Sequence, residues 1–143
     1  MIKILANDGI DDTGKALLKA AGFTVLTEKV AQENLINFIN EQHVDALLVR
    51  SATKVRKNLI DACKNLKLVG RGGVGMDNID VDYARAMGIE VMNTPAASSR
   101  SVAELVFAHL YGMVRNIYDS NRQMPAADGA KFNELKKKIC QRH

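Results

Sequence analysis

Two arginines and a glycine-rich run are the residues of this 143-residue chain whose types and spacing best suit chemistry. Arg50-Ser51 follows one short apolar run, and Gly70-Arg71-Gly72-Gly73-Val74-Gly75 follows the next. In open parallel sheets, ligands bind beyond the carboxyl ends of the strands. Two guanidiniums placed there suit a small anion, because each can make bidentate bonds to carboxylate or phosphate oxygens, and glycine lets backbone amides approach closely. Chemistry alone leaves plain ion pairs as an equal alternative, Arg50 with Asp8 or Glu90 and Arg71 with Asp77.

The same run satisfies G-x-G-x-x-G, and Glu90 falls about 20 residues after Gly70, as in a dinucleotide fingerprint. A pyrophosphate needs the N-terminus of a helix that starts within the glycines. Here the chain continues into Met76-Asp77-Asn78-Ile79-Asp80-Val81-Asp82, whose three carboxylates repel phosphates. The pattern is therefore read as a small-ligand loop. A phosphate-accepting receiver site is excluded as well, since the third apolar run ends in Arg50, which opposes the divalent cation such chemistry uses.

The elements that must position these residues alternate regularly. Residues 2–6, 24–26, 46–49, 66–69 and 89–92 read as short, fully apolar strands of a covered parallel sheet. Residues 12–21, 32–41, 56–63 and 80–87 carry apolar positions on one helical face, with Gly22 and Gly88 where helices end. The expected fold is α/β: a flavodoxin-like five-stranded parallel sheet, order 2-1-3-4-5, with helices on both faces. In that order strands three and four are neighbours, so Arg50 and Arg71 approach the same space. Ser101 with Glu104 then reads as a capping box opening a helix over 102–119, apolar nearly all round to Val114 and thus in need of a partner from another domain or another copy. A loop at 125–129 and a final helix at 131–140 follow.

Composition narrows the function classes. The formal charge of +4 comes mostly from the last residues, Lys131, Lys136, Lys137, Lys138 and Arg142, which read as a solvated helix end and not as a nucleic-acid stripe. Cys63 and Cys140 show no CxxC spacing, and His43, His109 and His143 no metal-ligand interval, so no metal is expected and a reducing, cytoplasmic setting fits. The longest apolar run is too short for a membrane span. No Ser-His-Asp arrangement is signalled, and His109 is expected to be buried or at an interface.

Four blocks then carry a resemblance: RSATKV at 50–55, LVGRGGVGMDNID at 68–80, VMNTP at 91–95 and SVAEL at 101–105. They resemble the amino-terminal part of the D-2-hydroxyacid dehydrogenases, and are most similar to the phosphoglycerate-oxidising branch of that family. The resemblance implies an NAD enzyme whose substrate domain, residues 1–95, closes on a Rossmann domain, with residues 96–143 as an interdomain helix and the start of that second domain. It implies that Arg50, Ser51 and Arg71, with the backbone of Gly72, Gly73 and Val74, bind a small anionic 2-hydroxy acid, that Val74 also borders the nicotinamide, and that Asn78 supports the loop. It further implies a homodimer through the helix of residues 101–119. The family's dinucleotide motif and its catalytic Arg, Glu and His lie downstream of these blocks. No catalytic residue is therefore expected within this chain, which is read as a truncated form, inactive alone and without tight NAD binding. A regulatory or interaction module pairing through the same helix is the alternative.

Overall fold

The computed structural model describes residues 1–140; Arg142 and His143 lie outside the described residues, as does the side chain of Cys140. Five strands, β1 (Lys3–Ala6), β2 (Thr24–Leu26), β3 (Ala46–Val49), β4 (Leu68–Arg71) and β5 (Glu90–Asn93), form one sheet in the order β2-β1-β3-β4-β5, parallel throughout. Between them run α1 (Asp12–Ala20), α2 (Leu35–Gln42), α3 (Lys57–Ala62) and α4 (Val81–Ala86). The expected order and architecture are both present.

Strand alternation divides the sheet's side chains between two unequal faces. Leu5, Leu47, Val69 and Val91 point to the face covered by Leu35 and Ile39 of α2, Leu59 and Ile60 of α3 and Ala84 of α4, and this layer is the core. The other face carries Ile4, Ala46, Leu48, Leu68 and Met92, which share an apolar groove of about 430 Å³ with Leu18 of α1. Helices thus lie on both faces, but of the four that flank the sheet α1 alone has no buried residue.

One residue fastens the amino ends of three strands. Asp45 accepts the Lys3 N–H at 2.9 Å and the Lys67 ammonium at 2.8 Å, while its own carbonyl accepts the Lys67 N–H at 2.8 Å. It precedes β3 and so ties that strand to β1 and to the start of β4.

Several boundaries differ from expectation for physical reasons. The fourth strand is not 66–69 but Leu68–Arg71, so Gly70 and Arg71 belong to the ladder, opposite Leu48 and Val49. Glycine leaves room there for Leu48, since a Cβ at position 70 would lie 2.8 Å from Leu48 Cδ2 and the leucine would have to shift. The second helix starts at Leu35 instead of 32, since Gln32 is engaged elsewhere: its side chain donates to the Lys54 carbonyl and accepts the Lys54 N–H, both at 2.9 Å.

The chain divides into two compact units, Met1–Ala97 and a second from Ser98 onward. The second holds α5 (Ser99–Val114), α6 (Ile117–Gln123), a 3₁₀ turn (Met124–Ala126) and α7 (Gly129–Cys140), with Leu135 of α7 buried. The expected capping box does not form. Ser101 lies inside α5, and Glu104 pairs instead with Arg100 one turn earlier at 2.9 Å. The expected continuous helix over 102–119 also breaks, because Asn116 adopts φ 50°, a left-handed conformation that asparagine tolerates. The 125–129 segment begins in the 3₁₀ turn and not as a simple loop. In this chain Val102, Leu105, Val106, Phe107, Leu110 and Tyr111 of α5 are all exposed, and so is His109, which is therefore not buried within the chain. Among the described residues no helix is long and apolar enough to cross a membrane.

Candidate anion-binding site

The carboxyl ends of β1, β3, β4 and β5 meet at one edge of the sheet and deliver Asn7-Asp8, Arg50–Thr53, Gly72–Asn78 and Thr94 to it. Val49 pairs with Arg71, so Arg50, one residue further on, and Arg71 leave adjacent strands at nearly the same height. Arg71 Nε lies 3.4 Å from the Arg50 carbonyl, a long contact, and Arg71 is half-buried while Arg50 is exposed.

The Arg50–Thr53 loop is held from two sides. Asp8 Oδ2 accepts the N–H groups of Arg50 at 2.6 Å and Thr53 at 3.1 Å, and its Oδ1 accepts the Thr53 hydroxyl at 2.7 Å. From the opposite side the buried Asn78 donates Nδ2–H to the carbonyls of the same two residues, at 2.8 and 2.7 Å. Asn78 reaches this position because Val55 bridges to its neighbour: the Val55 N–H donates to the Asn78 carbonyl and the Asp80 N–H to the Val55 carbonyl, both at 2.9 Å. Behind them the buried Asn7 donates to Thr53 Oγ1 at 2.8 Å and exchanges bonds with the backbone of Val30. Burial raises the Asp8 pKa, but the Thr53 hydroxyl and the Arg50 and Thr53 N–H groups outweigh it, and the net result is a carboxyl held below the usual range. Asp8 therefore stays ionised at neutral pH.

The glycine loop is fixed by β5 and shaped around Arg71. The Gly72 N–H donates to the Val49 carbonyl at 2.9 Å; the Gly73 N–H donates to the Arg71 carbonyl at 3.0 Å and to Thr94 Oγ1 at 2.9 Å. Asn93 Nδ2 donates to the Val74 carbonyl at 2.6 Å. A Cβ at Gly73, where φ is 155°, would lie 3.4 Å from Arg71 Nη1, and one at Gly75 would lie 3.3 Å from the same atom. The glycines thus make room for the guanidinium. Of the amides expected to meet a ligand, those of Gly72 and Gly73 are already engaged, while the N–H groups of Val74, Gly75, Ser51 and Ala52 have no hydrogen-bond acceptor among the described residues. Val74 is exposed, as is Ser51.

Two cavities open at this edge and share Arg50. One, of about 290 Å³, is bordered by Arg50, Arg71, Gly72, Gly9 and Thr94; the other, of about 550 Å³, by Arg50, Ser51, Ala52, Asp8 and Lys29. Neither of the ion pairs weighed for the arginines is formed: among the described residues no salt bridge joins Arg50 to Asp8 or Glu90, or Arg71 to Asp77. Asp8 meets the backbone of Arg50, not its guanidinium. Sequence reasoning passed over Lys29, for which the available signal was a cation in the loop that follows β2; it placed Asn7 at the strand ends and Thr53 in the 50–55 block but assigned neither a role.

The polar groups at this edge are mostly donors: guanidiniums, an ammonium, unbonded amides and a serine hydroxyl. Such a set holds and orients an anion. His43 caps α2 and contacts Asn65, away from the sheet's carboxyl edge, and burial pushes the Cys63 thiol up to about 11, which leaves it un-ionised. No group of three His, Cys, Asp or Glu side chains among the described residues could hold a metal ion. Nor does the glycine run fit the pyrophosphate of a dinucleotide. Gly70 lies within β4, and the next helix begins only at Val81, after Asp77 and Asp80.

A doubly wound α/β unit with hydrogen-bond donors gathered at its carboxyl edge is the class of protein these features define. The sequence profile of the D-isomer specific 2-hydroxyacid dehydrogenases, catalytic domain, matches residues 4–134, and the chain belongs to that family of NAD-dependent enzymes. The hydroxypyruvate reductase of Thermotoga maritima is 42% identical over 116 residues, covering 80% of this chain and 37% of that protein. The D-3-phosphoglycerate dehydrogenase of Methanocaldococcus jannaschii is 41% identical over 117 residues, 82% of this chain and 22% of that protein. Among solved structures, the NAD+-bound 3-phosphoglycerate dehydrogenase of Entamoeba histolytica superposes with a TM-score of 0.64 at 30% identity, over 78% of this chain and 38% of that one. The chain spans between 22% and 39% of the length of such curated relatives.

Proposed function

We propose that this chain is the substrate-binding unit of an NAD-dependent D-2-hydroxyacid dehydrogenase whose substrate is 3-phosphoglycerate, oxidised to 3-phosphohydroxypyruvate. The observation that carries this reading is the pair of arginines that form no salt bridge among the described residues, beside two cavities that meet at Arg50, the larger of which also takes Lys29. A substrate with an anionic group at each end suits the cationic groups spread along this edge: the larger cavity is polar, and the smaller, mainly apolar one carries Arg50 and Arg71 on its border. Arg50, Lys29, Ser51 and the Ser51 and Ala52 amides would take one end; Arg71, with the unbonded Val74 and Gly75 amides of the loop that follows it, would take the other, and Asn78 would hold the Arg50–Thr53 loop. Val74 borders the place where the nicotinamide would meet the substrate. Residues 1–95 form this unit, and the segment from 96 leads toward the part of the relatives that the chain does not cover. The names of the relatives support the reading in two directions, since phosphoglycerate dehydrogenases and a hydroxypyruvate reductase match about equally well.

Calorimetric titration separates these substrates. We expect saturable binding of 3-phosphoglycerate at least about tenfold tighter than binding of glycerate, because charge-assisted bonds to the phosphate are worth about 1.5–3 kcal/mol. Equal affinities would reassign the site to an unphosphorylated hydroxy acid, and failure of both to bind a folded chain would remove the reading.

The exposed apolar side chains of α5 support a second element, pairing with another copy of the chain. Light scattering should give twice the monomer mass, reduced to the monomer by Leu105→Glu. A monomeric parent chain would exclude this partner.

A further inference from the structure

The polar groups of the Arg50–Thr53 loop are divided by position. The first and last residues have both N–H and C=O bonded to side chains from elsewhere in the fold, the N–H groups to Asp8 and the carbonyls to Asn78. The two middle residues, Ser51 and Ala52, have N–H groups with no acceptor among the described residues, and both border the larger cavity. A loop framed only at its ends keeps its central donors available while fixing where they sit.

We propose that Asp8 is a positioning residue for the substrate anion: its carboxylate splints the loop from the N–H side and so sets the Ser51 and Ala52 amides and the Arg50 side chain toward the cavity. The inference rests on the substrate-binding reading above. Its chemistry asks for a side chain of this length with an oxygen at the loop's N–H side. One oxygen takes two N–H groups and the other takes the hydroxyl of Thr53, whose oxygen is already committed as acceptor to Asn7. Three donors converge on two oxygens, and the negative charge beside an anion cavity is offset by them. A counter-ion role for Asp8 would instead place its carboxylate on the Arg50 guanidinium, and no such pair exists.

The two roles predict opposite signs. If Asp8 acts by charge, Asp8→Asn and Asp8→Ala both remove a repulsion and tighten anion binding, while Asp8→Glu changes little. If it acts as a splint, Asp8→Ala weakens binding of 3-phosphoglycerate at least tenfold. Asp8→Glu, one methylene too long, then weakens it to a similar degree with the charge unchanged. Asp8→Asn keeps an oxygen for the two N–H groups and stays within about threefold of the parent chain. The experiment is calorimetric titration of the 143-residue chain and its three variants with 3-phosphoglycerate, with thermal melting to confirm folding. Where Asp8→Ala fails to fold, the contrast between Asp8→Glu and Asp8→Asn decides. Parent-like affinity in Asp8→Glu, or tighter binding in Asp8→Asn, overturns the proposal while leaving the substrate reading intact. Absence of binding by the parent chain overturns both.

Discussion

Arg50→Ala is expected to weaken 3-phosphoglycerate binding by about 10- to 100-fold while leaving the melting temperature nearly unchanged. Arg50 is the one side chain that borders both cavities. It is exposed and, among the described residues, its guanidinium forms no salt bridge, so removing it breaks no ion pair there. Charge-assisted hydrogen bonds to a carboxylate or phosphate contribute about 1.5–3 kcal/mol net, which sets the range. The loop itself should survive, because Asp8 and Asn78 grip the main chain of residue 50, which alanine retains. Arg50→Lys should recover only part of the affinity, since an ammonium is a point charge without the planar fork. Affinity within twofold of the parent in Arg50→Ala would remove this residue as an anchor of the site.

Asn78→Asp should lower stability by about 3–5 kcal/mol at pH 7, although the two side chains have the same shape. Asn78 is 5% exposed, and its amide donates to two carbonyls. A carboxylate there presents two acceptors to those acceptors, and each buried group left without a partner costs about 1–3 kcal/mol. The sign with pH follows from the same contacts. Burial and the facing carbonyls favour the protonated acid, so its pKa in the folded chain rises above that in the unfolded chain. The penalty is then smallest below the ordinary carboxylate range and grows as pH rises through neutrality. Urea denaturation at pH 4.5 and 7.5 measures this. A loss below about 1 kcal/mol at pH 7, or one independent of pH, would show that Asn78 does not hold the loop.

The strands, their order and the adjacency of Arg50 and Arg71 were legible in the sequence, because short apolar runs separated by helical periods admit few topologies. The frame around the arginines was not. Asp8, Asn7 and Thr53 meet across 45 or 46 positions of sequence through bonds between side chains and loop backbone, which have no periodicity to detect. Gly70 read as a loop residue because glycine is unfavourable in strands, yet it pairs with Leu48 in the ladder, where its missing side chain leaves that leucine room. Ser101 and Glu104 matched a capping pattern at the right spacing, yet the helix starts earlier and Arg100 takes the glutamate. Which glycine amides remain unbonded depends on Thr94 and Val49, neither of which announces itself in the run.

Asp45 sits at the far end of β3 from the site, about 16 Å from Arg50 at the usual rise per strand residue. By joining the starts of β1, β3 and β4 it fixes how those strands align. Sliding β4 by a single position against β3 would turn every β4 side chain to the opposite face, Arg71 among them, and carry the arginine's glycine cradle out of step with Val49. The alignment of the two arginines at the carboxyl edge is therefore set in part at the opposite edge of the sheet, in the way a ruler's zero mark determines every reading along it.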